Sequence, residues 1–132
     1  MELQNNNHSV FSLNYHLVLV VKYRRKVIDD DISARLREIF EHIQPTYNIT
    51  LQEWNHDQDH IHALFSSHPK SELTKFLNAY KSASSRLIKK EYPQIREELW
   101  KEYFWSRSFC LISIGGAPIE VIRKYIESQG SK

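Results

Sequence analysis

Two histidines one residue apart, His60 and His62 in the run Asp59-His60-Ile61-His62-Ala63-Leu64-Phe65, are a first candidate for chemistry. In an extended strand successive side chains alternate between faces, so both imidazoles project together while Ile61, Ala63 and Phe65 point the other way. Neutral ring nitrogens paired like this can hold one divalent cation and leave coordination positions open for a phosphate oxygen. The same spacing suits two histidines hydrogen-bonded on a partly exposed strand, and the pair alone does not separate these readings. His56, Asp57 and Asp59, around the adjoining polar turn, are further candidate donors. Near the other end of the chain, Tyr125 and Gln129 in YIESQ stand four residues apart, which on a helix places them on one face. Both can then point at the same ion or phosphate, although a tyrosine at such a position also serves as packing. Cys110 is the single cysteine, so the chain has no internal disulfide framework and no thiolate zinc site, and a strand cysteine is a packing residue first.

The elements that must position these residues follow from periodicity. VFSLNYHLVLVV, from Val10 to Val21, has the β-branched and aromatic content of a long central strand, with Phe11, Leu13, Tyr15, Leu17 and Leu19 on one face. After the basic turn KYRRK, Ile32, Leu36, Ile39 and Ile43 recur at helical spacing behind a run of aspartates that favours a helix start, and Pro45 closes the helix. NITLQEWNH and DHIHALFSS then read as a hairpin turning around Asp57 and Gln58. Beyond Ser71, Leu73, Phe76, Leu77, Tyr80, Ala83 and Leu87 mark the apolar stripe of a second helix, opposite a polar stripe of Lys75, Asn78, Ser82, Arg86 and Lys89. A polar connection through Tyr92 and Pro93, a last strand from about Phe104 to Ile114, and GGAP leading into a short helix from Pro118 complete the chain. The predicted order without the last helix is β-α-β-β-α-β, an α+β ferredoxin-like domain whose antiparallel sheet carries two helices on one face and leaves the other face open for a site.

Composition agrees with one domain over residues 1–132: 41% apolar, 12% aromatic and 26% charged residues are ordinary for a globular chain. No apolar run is long enough to span a membrane and the start MELQNNNHSV lacks a signal-peptide pattern, so a cytoplasmic location is expected. The net charge of +2 does not by itself identify a nucleic-acid partner. Its distribution permits one: Arg24, Arg25 and Lys26 after the first strand, and Lys75, Arg86 and Lys89 on the second helix, are candidate phosphate contacts, and Tyr23 and Trp105 are candidate stacking partners for unpaired bases. A solvated helix face, a charged turn and packed aromatic rings are the competing readings.

DHIHALF, followed about sixty residues later by YIESQ, resembles the small HUH-class transposases, single-tyrosine enzymes that mobilise insertion sequences as single-stranded DNA. YHLVLVVKYRRKV, SSRLIKKEYP, FWSRSF and IRKYIESQ are similar to that family in order and spacing, so the resemblance covers nearly the whole chain. Ile61 supplies the bulky hydrophobic between the histidines, whereas Ala63 is smaller than the expected leucine and His56 is an extra histidine that leaves the ligand set open. The resemblance implies Tyr125 as nucleophile, and His60, His62 and Gln129 as ligands of magnesium or manganese. It further implies a 5′-phosphotyrosine intermediate, recognition of hairpins at the transposon ends, and a homodimer with active sites shared between subunits. The chemistry is consistent, since a phenol with a pKa of about 10 attacks poorly at neutral pH unless the phosphate is polarised. Two rivals stand beside this reading: a noncatalytic ferredoxin-like domain binding RNA or DNA on its sheet, and a related nickase that processes repeated chromosomal hairpins.

Overall fold

Apolar residues alternate along the strands and recur at helical spacing between them, and a computed structural model, which describes residues 13–114, resolves how these faces meet. Strand β1 (Leu13–Val21) is followed by helix α1 (Asp30–Ile43), strands β2 (Ile49–Asp57) and β3 (His60–Ser67), helix α2 (Leu73–Glu91) and strand β4 (Trp105–Ser113). The sheet order is β2-β3-β1-β4, and each neighbouring pair is antiparallel. This is the ferredoxin-like arrangement, with β1 and β3, the two strands separated by the first αβ unit, side by side at the centre. The expected closing helix from Pro118 lies outside the described residues, as do Val10 to Ser12 of the first predicted strand.

Helix α1 starts where Asp29 accepts a hydrogen bond from the Ile32 amide at 2.8 Å, which satisfies one of the free amides of the first turn. Its buried residues Ile32, Leu36, Ile39 and Phe40 meet Phe76, Leu77, Tyr80 and Ile88 of α2 and the inner sheet face of Leu17, Leu19, Ile61, Ala63 and Phe65. Phe40 stands at the junction, with ring centroids 5.0 Å from Phe76, 5.3 Å from Tyr80 and 5.9 Å from Phe65. The first two are edge-to-face contacts, which add to the ~1.5–3 kcal/mol gained by burying each large apolar side chain.

Two local expectations are corrected. The buried stripe of α2 runs through Ser84 and Ile88, while Ala83 and Leu87 are only half-buried. A serine is acceptable on that face because its hydroxyl donates to the Tyr80 carbonyl at 2.6 Å and accepts from the Trp105 indole at 2.9 Å. Trp105 is therefore a core residue, 7% exposed, and not a platform for bases. The N-cap of α2 is Glu72, whose side chain makes no cap bond, and the Ser71 hydroxyl beside it donates to the Asn48 carbonyl at 3.3 Å.

Candidate active site

The face of the sheet away from the helices carries His60 and His62, as strand alternation requires. Both are buried, at 2% and 4% exposure, and their Nε2 atoms converge to 3.0 Å. The orientation of His60 is set by Asp59, whose carboxylate accepts from Nδ1 at 2.5 Å and from Nε of Arg24 at 2.9 Å. Burial pushes the Asp59 carboxyl up, but the hydrogen bonds from His60 and Arg24 and their charges outweigh it and hold the group below its usual range. With Nδ1 committed to a carboxylate acceptor, a neutral His60 keeps its lone pair on Nε2, facing His62. The His62 pKa falls to about 4, chiefly by burial and then by the neighbouring charges of His60 and His16, so this ring is neutral at pH 7. Its Nδ1 is buried and has no hydrogen-bond partner among the described residues.

These residues fit a divalent cation. Two nitrogens each ~2.1 Å from one ion and at a right angle around it lie ~3.0 Å apart, which is the separation of the two Nε2 atoms. The carboxylate behind His60 is the usual orienting partner of a ligating histidine. Arg24, Val18, Val20, Ser108 and Cys110 surround an open recess of about 350 Å³ beside His60. Among the described residues no cluster of three or more histidine, cysteine or acidic side chains is arranged to hold a metal.

A third histidine, His16, belongs to the same neighbourhood. It is fully buried on β1 and its ring stacks on that of His62, with centroids 5.9 Å apart and planes 14° from parallel. Burial lowers its pKa to about 4, so a neutral ring packs there. Alternation alone places His16 opposite Tyr15 and Leu17. Its meeting with His62 depends on the antiparallel pairing of β1 with β3, in which Val18 faces His62, and no spacing along the chain reveals that. His56, by contrast, is no partner of the pair. It faces Ile61 in the register, on the other side of the sheet, and its Nε2 lies 3.1 Å from Asp30.

The profile described as "Transposase IS200 like" matches residues 9–129. The chain belongs to the IS200-like transposase family. It is 33% identical to the ISDra2 transposase TnpA of Deinococcus radiodurans over 132 residues, covering 100% of this chain and 94% of the relative. It is 25% identical to the IS200 transposase of Salmonella typhimurium over 122 residues, covering 92% of this chain and 80% of that one. Among solved structures, a Deinococcus radiodurans protein assigned as a transposase superposes with a TM-score of 0.76 at 27% identity, covering 96% of this chain and 98% of the other. The REP-associated tyrosine transposase bound to a REP hairpin shares the fold, with a TM-score of 0.64 at 10% identity over 92% of this chain and 67% of the other.

In this transposase the predicted phosphate contacts occupy different settings. Arg25 and Lys26 are exposed beyond β1, whereas Arg24 is drawn into the Asp59 pair. Lys75 is paired with Glu72 at 3.0 Å on the surface. Arg86 and Lys89 border a groove of about 460 Å³ between α2 and the start of β4, where the Lys89 ammonium donates to the Glu102 carbonyl at 3.0 Å. Tyr125 and Gln129 lie outside the described residues. No helix among the described residues is long and apolar enough to cross a membrane.

Proposed function

We propose that this transposase cuts and rejoins single-stranded DNA through Tyr125, at a site where His60, His62 and Gln129 hold magnesium or manganese. The observation that carries this reading is the convergence of the two Nε2 atoms at 3.0 Å on the face of the sheet away from the helices, in a chain of a transposase family. When bound, the ion polarises the scissile phosphate and makes its phosphorus more open to attack. The Tyr125 oxygen forms a bond to that phosphorus while the bond to the 3′ oxygen breaks; the phenolic proton passes to water and the departing oxygen takes one up. The product is a 5′-phosphotyrosine and a free 3′-hydroxyl. Because the link preserves a phosphodiester, attack by another 3′-hydroxyl rejoins DNA without an external energy source and frees Tyr125.

The substrate is single-stranded DNA marked by hairpins at the transposon ends, a reading supported by a hairpin-bound neighbour of the same fold. The protein acts as a homodimer in which His60 and His62 of one subunit work with Tyr125 and Gln129 of the other. Incubation with a single strand carrying the hairpin that flanks its coding region is expected to yield a denaturant-stable protein–DNA adduct, absent from Tyr125→Phe. A phenylalanine variant that forms adduct at the normal rate would assign the nucleophile elsewhere.

A further inference from the structure

Beyond the histidine face, two short turns bring three aromatic rings together at the end of the sheet. Tyr23 follows β1, and Trp100 and Tyr103 precede β4; the turns are joined where the Lys22 amide donates to the Phe104 carbonyl at 2.9 Å. The Trp100 ring meets Tyr23 edge-on at 5.1 Å and lies nearly parallel to Tyr103 at 6.0 Å. The Lys22 ammonium sits 5.5–5.6 Å from all three ring centres, and Lys101 sits 4.6 Å over Trp100. Tyr23 and Tyr103 are nonetheless 63% and 56% exposed, a large aromatic surface left to solvent.

The backbone beneath these rings is strained. Of the five non-glycine residues with positive φ among the described residues, Tyr23, Arg24, Lys101 and Glu102 lie in these two turns, with φ of 55°, 55°, 49° and 62°. Left-handed conformations are unfavourable for residues with a β-carbon, and they persist only where surrounding contacts over-determine them. The patch also joins two features already described. Tyr103 lines the basic groove of α2, and Arg24, next to Tyr23, lines the recess beside His60.

We infer that Tyr23, Trp100 and Tyr103, with Lys22 and Lys101, form a platform on which an unpaired nucleobase of the substrate strand stacks as that strand passes from the α2 groove to the histidine site. An exposed π-face accepts any base, and the adjacent ammonium groups complement the phosphates on either side of it. Duplex DNA offers no free base face, so the platform favours single strands. The inference rests on the proposed substrate and is tested by binding alone, in the full-length Tyr125→Phe protein, so that its failure and a failure of the cleavage chemistry remain distinguishable.

The experiment measures fluorescence anisotropy of a labelled, mixed-sequence single strand of about 12 nucleotides and of an otherwise identical abasic strand. Tyr23→Leu combined with Tyr103→Leu is expected to weaken binding of the normal strand by about tenfold, the loss of roughly one stacked base. Phenylalanine at both positions should retain binding, and the abasic strand should bind the tyrosine-containing protein about as weakly as the normal strand binds the leucine variant. Equal affinity for normal and abasic strands, a measurement that needs no change in the platform, would overturn the inference. So would a folded leucine variant, checked by its thermal unfolding, that binds the normal strand undiminished.

Discussion

Asp59 stands between a guanidinium and an imidazole, and that position makes it more than a turn residue. By accepting from His60 Nδ1 and from Arg24, it fixes which nitrogen of His60 faces His62. Histidine ligands lacking such a partner lose metal affinity or activity by about 10- to 100-fold. Asp59→Asn is therefore expected to raise the metal concentration needed for half-maximal cleavage by about that factor, leaving hairpin binding in place. His60→Ala and His62→Ala should abolish cleavage and also spare hairpin binding, because the proposed mechanism puts them at the scissile phosphate and not on the recognised hairpin. A titration of cleavage against magnesium and manganese, with and without chelator, checks both statements. Undiminished cleavage in chelator and in the two alanine variants would remove the metal from the reaction. At this scale the sequence was informative about the HxH pair and silent about His16, whose place beside His62 depends on strand pairing.

Helix α2 divides its labour between faces. Phe76, Leu77, Tyr80, Ser84 and Ile88 close the core, and Ser84 accepts the Trp105 indole proton at 2.9 Å, tying the helix to the start of β4. The opposite stripe borders the groove with Asn78, Ser82, Arg86 and Lys89. If Arg86 and Lys89 contact phosphates, each alanine substitution should weaken hairpin binding and reduce the slope of log affinity against log salt by about one unit. Slopes identical to that of the unmodified protein would return the stripe to a solvated face. Most of this helix was readable from its apolar spacing. The exception was its second half, where a serine on the buried face looked polar in sequence and becomes acceptable only through the partners that folding supplies.

For the whole molecule, the decisive question is whether one subunit contains a complete site. The β-α-β-β-α-β unit is complete in sequence before the predicted closing helix, whose Ile119, Ile122 and Ile126 would need a surface to pack on, and a helix of about 12 residues is marginal alone. Docking across a two-fold axis would order it and share the sites. Mixing Tyr125→Phe protein with the double His60→Ala, His62→Ala variant, under conditions that exchange subunits, should then restore cleavage, because each mixed dimer holds one site with all four wild-type groups. No recovery, once mixed dimers are shown to form and bind the hairpin, would reject sharing while leaving the Tyr125 chemistry intact.

Element order, the inner faces of β1 and β3, and the pairing of His60 with His62 were determined by sequence alone, because each rests on a period of two or 3.6 residues that a few neighbours reveal. Tertiary structure decided what depends on register between distant strands. A bulge between Leu51 and Glu53 shifts the β2 pairing, and the register sets His56 opposite Ile61 and away from the histidine pair. An irregularity between Leu19 and Val21 sets Trp105 opposite Val21, on the core side. The same long-range pairing stacks His16 on His62 and brings the turn after β1 against the turn before β4, about eighty residues apart in sequence. Such juxtapositions have no local period, since they follow from hydrogen bonding between strands and from packing of the whole sheet against its helices.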